Sequence, residues 1–419
     1  MKNKLRIFVV EPNNGGGLVH FAYQLCNALA SEGADVTLVA GAKYEMADQP
    51  HSFHVEKLLN LWEHFDPDSM KAEIQNPLKR AWRKIYWTLR RMARGVRLIY
   101  AWASLTQFLL REKPDIVQFS KYEYSFESYF VGYLRRRGLI VTQLCHEFEL
   151  RESQDFIWSI LDRISGEVYR HFSAIFFLSE EIRKRFLSLH STIPAERTLS
   201  VPHGNSGWLL NIPAVSADVL RQRYGLQKDE RVVLFFGLLA PSKGLDDLLD
   251  AFAIARKTCN AKLVIAGYPT KHISMSEMLE KNRNLGIADQ VIFDARYIPL
   301  NEIQPLMALA SVVVYPYRSG TQSGALQTAY TFGKPVIATA VGGLPEVVEN
   351  GKSGYIVSPN SPAELAEKIV AVVNDPKLGD EMGQYARHLS ETRFSWKTVA
   401  VQIVEVYTRL LEARKRVSN

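Results

Sequence analysis

The sequence predicts an α/β protein built from two doubly wound parallel sheets, and three observations support this fold class. The chain has 419 residues, which favours two domains of about 200 residues over one ordinary core. Short apolar runs alternate with segments of helical period, as expected where helices connect parallel strands. This alternation begins twice, each time with a strand and a glycine-bearing turn.

The predicted strands form two series. The first series comprises 5–12, 35–41, 115–120, 140–147 and 174–179. The second series comprises 232–237, 263–267, 291–294, 312–317 and 335–339. The stretch 204–230 mixes Gly, Pro, Asn and Ser with one short helical piece and predicts a linker. We therefore place the first domain at 1–204 and the second at 205–396, with a closing amphipathic helix at 397–417 that belongs to the first.

Composition indicates a cytoplasmic globular protein, with 47% hydrophobic and 23% charged residues. The apolar run 5–10 is too short for a signal-peptide core, and no uncharged apolar stretch approaches the ~18 residues of a membrane span. The three cysteines show no metal spacing. The net charge of +7 is concentrated between Leu78 and Arg111, which contains nine Lys or Arg and no acid.

A first candidate site is the turn 13–17, Asn-Asn-Gly-Gly-Gly, between a strand and a helix. Glycines allow close backbone approach, and a helix N-terminus offers unpaired N–H groups to a phosphate. The alternative is a plain tight turn. The spacing is not GxGxxG, and no acid ends the second strand, so a dinucleotide-dependent dehydrogenase is not expected.

A second candidate site is the turn 237–244, which links strand 232–237 to a helix. It carries Lys243 at the mouth of the helix, where a mobile full charge adds to the helix dipole and suits a diphosphate. The alternative is an exposed loop lysine without a ligand.

The strongest signal is the segment 315–346. A polar glycine loop, 319–324, leads into one helix, and Gly342-Gly343 opens the turn after the following strand. Both turns lie at the carboxyl ends of neighbouring strands, where open α/β sheets bind ligands. These residues predict a polar, anionic ligand.

Segment 315–346, together with the turn 237–244, resembles the retaining family-4 glycosyltransferases of the GT-B fold. The resemblance extends to His20, to His146 after a strand, to Val-Pro-His-Gly at 201–204 and to the Trp-bearing final helix. It implies two Rossmann-like domains with a cleft between them. The second domain would hold a nucleoside-diphosphate sugar, with UDP or GDP as the expected nucleotide, and the first would present the acceptor.

The same resemblance implies a role for each site residue. Lys243 would pair with the diphosphate of the donor, and His146 would lie beside the transferred sugar; these two are the catalytic candidates. Gly16 and Gly17 would approach the β-phosphate. The full set of donor-binding candidates is Gly16, Gly17, Gly237, Lys243, Arg318, Gln322, Ser323, Gly324, Thr328, Gly342, Gly343 and Glu346.

Two departures from the family pattern concern charge. Leu238 stands where the family usually has an arginine, and Thr328 stands where it usually has the second of two glutamates. Gln322 and Gln327 would offer neutral hydrogen bonds to sugar or ribose hydroxyls, and Arg318 would restore the missing positive charge. We expect no metal, because a lysine and helix dipoles neutralise the diphosphate; Asp66-Pro67-Asp68 is attributed to chance.

The basic segment 79–100 has an apolar arc of about 140° beside a basic arc of similar width. This composition is typical of an interfacial helix on anionic lipid. The alternative is a helix that packs on its own sheet and leaves a solvated basic face. Nucleic-acid binding is not expected, because nothing beyond charge indicates it. The predicted membrane contacts are Arg83, Lys84, Trp87, Arg90, Arg91 and Arg94.

The predicted activity is transfer of a sugar, with retention, to a hydroxyl of a glycan or a lipid-linked glycan. Two alternatives stay open. One is a non-catalytic GT-B ligand-binding or scaffold protein with a degenerate donor site, which Leu238 and the missing glutamates favour. The other is a GT-B sugar-nucleotide epimerase.

Overall fold

The computed structural model describes residues 4–59, 77–121, 126–146, 148 and 166–418. For the helix Pro77–Glu112 the structure describes the backbone throughout and the side chains of all residues except 77–81, 83–85, 87, 88, 91 and 94. Two compact units are present. The first comprises Met1–Phe177, Phe186–Leu199 and Ala400–Asn419, and the second comprises Leu178–Arg185 and Ser200–Val399. The boundaries predicted from the sequence were 204/205 and 396/397.

The first unit contains a seven-stranded sheet in the order β3-β2-β1-β4-β5-β6-β7. The strands are β1 Arg6–Glu11, β2 Asp35–Gly41, β3 His54–Leu59, β4 Ile116–Phe119, β5 Ile140–Cys145, β6 Ala174–Phe177 and β7 Thr198–Ser200. The α-helices described between residues 17 and 189 are α1 Gly17–Ser31, α2 Pro77–Glu112, α3 Glu127–Arg136 and α4 Glu180–Leu189. Strand β1 pairs in parallel with β2 on one side and with β4 on the other.

The second unit contains a six-stranded sheet in the order β10-β9-β8-β11-β12-β13. The strands are β8 Arg231–Phe236, β9 Ala261–Ala266, β10 Val291–Asp294, β11 Val312–Tyr315, β12 Val336–Thr339 and β13 Gly354–Val357. Its helices are α5 Ala217–Arg223, α6 Leu245–Ala255, α7 Met275–Asn284, α8 Leu300–Leu309, α9 Gly324–Thr331, α10 Leu344–Val347, α11 Pro362–Asn374 and α12 Pro376–Glu391. The final helix, α13 Trp396–Ser418, continues into the first unit.

Both sheets are doubly wound: successive strands are added first on one side of the first strand and then on its other side. In the first unit this switch point lies between β1 and β4, and in the second it lies between β8 and β11. Helices cover both faces of such sheets, which explains the continuous apolar runs of their strands. The central strands β8 and β11 are almost wholly buried. The prediction of two Rossmann-like domains is therefore confirmed.

The final helix is anchored by aromatic side chains at two places. At its start, Trp396 donates from Nε1 to the carbonyl of Asn205 at 2.7 Å, within the second unit. In the first unit, the fully buried hydroxyl of Tyr407 donates to Gln118, and its ring contacts Phe176. In the described part of the chain, no helix combines the length and the apolarity that a membrane span needs. The three cysteines, all of them in the described part of the chain, are buried and form no disulfide with one another.

Candidate functional site

Three glycine-bearing loops of the second unit follow adjacent strands and contact one another. The loop 237–244 follows β8, the loop 316–323 follows β11, and the turn 340–343 follows β12. The N–H of Arg318 donates to the carbonyl of Ser242 at 2.9 Å, which joins the first two loops. The N–H of Gly343 donates to the carbonyl of Thr321 at 2.9 Å, which joins the second and third. The loops therefore form one polar surface at the switch point, where doubly wound sheets bind ligands.

Two glycines allow the loops to approach this closely. Gly244 has φ +66°, and a Cβ there would lie 1.9 Å from the carbonyl oxygen of Pro316. Gly342 has φ +52°, and a Cβ there would lie 2.0 Å from the carbonyl oxygen of Gly320. Side chains at either position would be strained and would push the loops apart. Gly237 directly follows β8 and donates its N–H to the carbonyl of Ala266 at 3.1 Å.

Lys243 has no acidic partner among the residues that the structure describes. It ends a 3₁₀ turn, Pro241–Lys243, and its Nζ lies 3.7 Å from the ring centroid of Tyr317. Among the described residues Lys243 forms no ion pair, whereas the nearby Lys281 pairs with Asp250 at 2.7 Å. An ammonium resting on an aromatic face remains available to an anionic ligand.

Tyr317 connects this lysine to the start of α9. Its hydroxyl shares a hydrogen bond of 2.9 Å with Oγ of Ser323. Ser323 is the N-cap of α9 and accepts the N–H of Leu326 at 3.2 Å. The structure thus brings Lys243, Ser323 and Gly324 together, with a helix N-terminus beside a cation that has no acidic partner among the described residues.

Arg318 is already neutralised by acidic residues. Its Nε and Nη2 donate to the two carboxylate oxygens of Asp247, each at 2.8 Å, and Asp246 lies 3.5 Å from Nη1. This bidentate pair raises the pKa of Arg318. The pairing argues against the expectation that Arg318 supplies the charge missing at Leu238, whose side chain is exposed.

The side chains of Gln322 and Glu346 bind the segment Leu178–Arg185 of the same unit. Nε2 of Gln322 donates to the carbonyl of Leu178 at 2.7 Å. The carboxylate of Glu346 accepts the N–H of Glu180 at 2.9 Å and that of Glu181 at 2.7 Å, at the start of α4. Both side chains therefore hold the segment Leu178–Arg185 in place. Because the side chain of Gln322 is used in this way, the predicted donor contact at residue 322 would have to come from its backbone.

Thr328 and Gln327 are buried on α9. Oγ1 of Thr328 shares a hydrogen bond of 2.9 Å with Oγ of Ser206 and donates to the carbonyl of Gly324 at 3.2 Å. Gln327 is 1% exposed, and neither atom of its amide has a partner among the described residues. Thr328 therefore stabilises the helix start, while Gln327 is a buried amide with unused donor and acceptor capacity.

His203 adds a group next to this loop that was not among the predicted site residues. Its Nδ1 lies 2.7 Å from the carbonyl of Gly204, so the ring donates from Nδ1 when neutral. Burial lowers its pKa, which favours that neutral ring. Nε2 lies 3.5 Å from the position of a Cβ at Gly324. The only sequence signal was its place in Val-Pro-His-Gly.

In the first unit, a carboxylate occupies the start of α1. Gly16 is the N-cap, with φ +86°, and its N–H donates to Oε2 of Glu45 at 2.7 Å. The same oxygen lies 3.3 Å from Nε2 of His20. Gly16 and Gly17 thus form the predicted helix N-terminus, but an internal anion takes the Gly16 N–H that we expected to meet a phosphate. No local sequence signal indicated Glu45, because it lies 29 residues away.

Glu11, a second unpredicted residue, orders the turn from the end of β1. It is 1% exposed, and its Oε1 accepts the backbone N–H of Asn13 at 2.8 Å. Its Oε2 lies 2.5 Å from Oγ of Ser120, which also donates to Val10 at 2.9 Å. Burial raises the pKa of Glu11. A hydroxyl has one proton, so a protonated Glu11 that donates to Ser120 satisfies both contacts.

His146 follows β5 at the same edge of the first sheet. Its ring meets the ring of Phe21, on α1, edge to face with centroids 4.8 Å apart. The predicted catalytic histidine is therefore held against the helix that begins at Gly17.

The basic helix has an exposed apolar side. The apolar residues Trp82, Tyr86, Leu89, Met92, Val96, Ile99 and Tyr100 are all more than half exposed. This contradicts the alternative in which α2 packs that side on its own sheet. Of the predicted membrane contacts, Arg90 is partly buried, with Nη1 3.5 Å from the hydroxyl of Tyr86. The side chains of Arg83, Lys84, Trp87, Arg91 and Arg94 lie outside the described ones.

No metal site is recognisable in the described ranges, which contain no group of three or more His, Cys, Asp or Glu able to hold an ion. The sequence Asp66-Pro67-Asp68 lies outside those ranges.

The fold and the loop surface define a protein of two Rossmann-like domains, the second of which presents glycine-bearing loops and Lys243 at its switch point. Two family descriptions match the chain. "Glycosyltransferase Family 4" matches residues 15–204, and "Glycosyl transferases group 1" matches residues 216–389. The chain therefore belongs to the family-4 glycosyltransferases of the GT-B fold, as the resemblance in the sequence indicated.

Curated relatives match about half of the chain. The D-inositol 3-phosphate glycosyltransferase of Streptomyces avermitilis is 33% identical over 211 residues, which cover 49% of this chain and 45% of that protein. The N-acetyl-alpha-D-glucosaminyl L-malate synthase of Bacillus anthracis is 24% identical over 196 residues, which cover 47% and 50% of the two. The chain thus spans about half the length of the curated relatives it matches.

Solved structures match the fold over almost the whole chain. The sucrose-phosphate synthase of Thermosynechococcus elongatus has a TM-score of 0.71 at 19% identity, covering 98% of this chain and 100% of that one. Anabaena HepE in complex with UDP-glucose has a TM-score of 0.71 at 20% identity, covering 97% and 100%. At these identities the likeness concerns the fold.

Proposed function

We propose that the chain transfers a glycosyl group from a nucleoside-diphosphate sugar to a hydroxyl acceptor. The observation that carries the proposal is Lys243, a cation without an acidic partner among the described residues, beside the N-terminus of α9 at the switch point of the second sheet. A diphosphate is the leaving group of such a reaction. Fixed donors and a lysine stabilise the charge that develops on it as the sugar departs.

The finer features of the reaction are part of this proposal. Retention of the anomeric configuration and transfer of a hexose follow the family pattern. Activity without a metal follows from Lys243 and the α9 N-terminus, which together supply the positive charge a metal would otherwise provide. UDP is the favoured nucleotide, because HepE was solved with UDP-glucose; GDP is the second choice.

The roles of the remaining site residues are proposed in the same way. The backbone amides of 322–324 contact the sugar and phosphate, and Gly342 and Gly343 line the same wall. Gln327 is the strongest candidate for a hydrogen bond to a donor hydroxyl, because its buried amide has no partner in the described part of the chain. His146 contacts the transferred sugar. We propose a carbohydrate or lipid-linked acceptor, reached by a cytoplasmic protein at an anionic membrane surface.

Two other functions are less well supported. A non-catalytic scaffold would explain Leu238 and Thr328, yet the cation at Lys243 is retained. An epimerase would use the same donor surface without an acceptor. The curated relatives cited above carry the names of a glycosyltransferase and of a synthase, which favours transfer.

The test is release of nucleoside diphosphate from UDP-, GDP- and ADP-sugars by the full chain, with and without a lipid extract as the source of acceptor. We expect release from one nucleotide class, stimulated by extract, together with a sugar-labelled product. Binding of a donor without release would support the scaffold. Conversion of the donor to a second sugar nucleotide, with no labelled acceptor, would support the epimerase.

A further inference from the structure

The helix α2 presents apolar side chains on two opposite sides, one buried and one exposed. In the C-terminal half, four buried residues, Leu98, Trp102, Leu105 and Leu109, recur at helical spacing. Trp102 stacks on Phe119 with centroids 5.6 Å apart and donates from Nε1 to Glu127 at 3.1 Å. This half is therefore fixed to the first sheet and sets the rotation of the whole helix.

Between Trp82 and Tyr100 a second set of apolar side chains lies on the other side of the helix. Trp82, Leu89 and Val96 are 70%, 61% and 68% exposed. At about 100° per residue, the exposed apolar stripe is centred about 160° around the axis from the buried face. The surface that covers the C-terminal half cannot cover this stripe. We define the exposed stripe as Trp82, Tyr86, Leu89, Met92, Val96, Ile99 and Tyr100.

The stripe is large and continuous. From Trp82 to Tyr100 it runs along about 27 Å of helix, at 1.5 Å per residue. Soluble monomers rarely expose contiguous apolar patches of this kind without a partner. Its members include one tryptophan and two tyrosines, which are enriched where proteins meet the membrane–water interface.

The basic residues beside the stripe indicate which partner covers it. The sequence places eight Lys or Arg and no acid between 79 and 100, on the arc that adjoins the apolar one. Symmetric docking of a second copy would bring two such basic helices together, which like charges oppose. A surface of anionic lipid offers acyl chains to the stripe and phosphates to the cations that flank it.

We propose that α2 lies in the plane of an anionic lipid bilayer and inserts the exposed stripe, rather than only resting its basic arc on the headgroups. The inference does not depend on the transfer reaction, because none of these residues belongs to the donor surface. The sequence predicted only basic contacts with the membrane, and the inference adds the apolar stripe to them. Salt screens the attraction between the basic residues and the lipid phosphates, so the binding that remains at high salt is attributed to the stripe.

The test uses flotation of the full chain with vesicles of phosphatidylglycerol and phosphatidylcholine, compared with phosphatidylcholine alone. We expect binding to the anionic vesicles that falls with salt to a residual level. Val96→Asp places a charge in the stripe and should reduce binding at least tenfold, and the residual binding at high salt should vanish. Val219→Asp is the matched control, because Val219 is also an exposed helical valine, at 47%.

Three results would overturn the inference. One is binding by Val96→Asp equal to that of the unaltered chain. A second is a fall of several degrees in the thermal midpoint of Val96→Asp but not of Val219→Asp, which would mean that the chain itself covers the stripe. The third is a concentration-dependent dimer that Val96→Asp abolishes. Nucleoside-diphosphate release measured without lipid should be unchanged in both variants, which separates this test from that of the proposed function.

Discussion

The two units place a glycine turn and a helix N-terminus at the same position of the same topology, but with opposite charge. In the second unit, the turn after β8 presents Lys243 without an acidic partner among the described residues. In the first unit, the turn after β1 has its Gly16 N–H bound to the carboxylate of Glu45. One turn is thus open to an anion, while the other already holds one.

The difference shows that a glycine-rich turn at a switch point indicates a possible anion site and does not establish one. In both turns the helix that follows has a glycine N-cap with positive φ, Gly16 or Gly244. The side chains that reach each turn from elsewhere in the chain decide its charge. In the first unit the turn is also held by Glu11, which accepts from Asn13. Three substitutions test this contrast.

The largest effect is expected for Lys243→Ala, which removes the uncompensated charge from the second turn. Donor-dependent turnover should fall at least tenfold, about 1.4 kcal/mol of barrier, because the leaving diphosphate loses its cation. The measurement is nucleoside-diphosphate release under saturating acceptor, with Lys377→Ala as a control at a largely exposed lysine of α12. Turnover equal to that of the control would remove Lys243 from the mechanism.

Much of the fold could be predicted because buried parallel strands are continuous apolar runs. The ten predicted strands all occur, whereas β3, β7 and β13 were missed. β3 is an edge strand with largely exposed residues, and β7 has only three residues. Such strands are defined by pairing with a neighbour, and their own composition does not distinguish them from loops.

In the candidate site, too, some features could be predicted from the sequence and others could not. The glycine turns were predictable, because positive φ and close loop contacts restrict positions such as Gly244 and Gly342 to glycine. The partners of charged groups were not. Arg318 meets Asp247 across 71 residues, and Gly16 meets Glu45 across 29. Contacts of this kind depend on how the chain folds back, so a list of charged residues could not show which charges are cancelled.

A smaller effect is expected for Glu11→Gln, measured as stability against pH. Burial raises the pKa of Glu11, so its favourable contribution is complete below its ordinary pKa and is lost as pH rises through the raised value. Gln mimics the protonated acid, since it donates to Ser120 and accepts from Asn13. The variant should therefore gain on the order of 1 kcal/mol relative to the unaltered chain as pH rises from 4 to 8.

Thermal midpoints of both chains across that pH range provide the measurement, with the exposed Glu412→Gln on α13 as a control. A difference that shrinks with rising pH would mean that Glu11 is ionised in the folded protein. Its carboxylate would then resemble that of Glu45, and the first turn would hold two negative charges.

The smallest effect is expected for Glu45→Gln, which tests whether the first turn can become an anion site. If a donor phosphate uses the Gly16 N–H, it must displace the Glu45 carboxylate. Removing that negative charge should tighten nucleoside-diphosphate binding about threefold, since a charge at a helix N-terminus contributes about 0.3–1 kcal/mol. Calorimetric titration gives the dissociation constant, and Glu32→Gln, at the other end of α1, is the matched control. Unchanged or weaker binding would show that the phosphate does not use this turn and that Glu45 serves to order it. In either case Lys243→Ala should still weaken binding, because the second turn draws its charge from a separate residue.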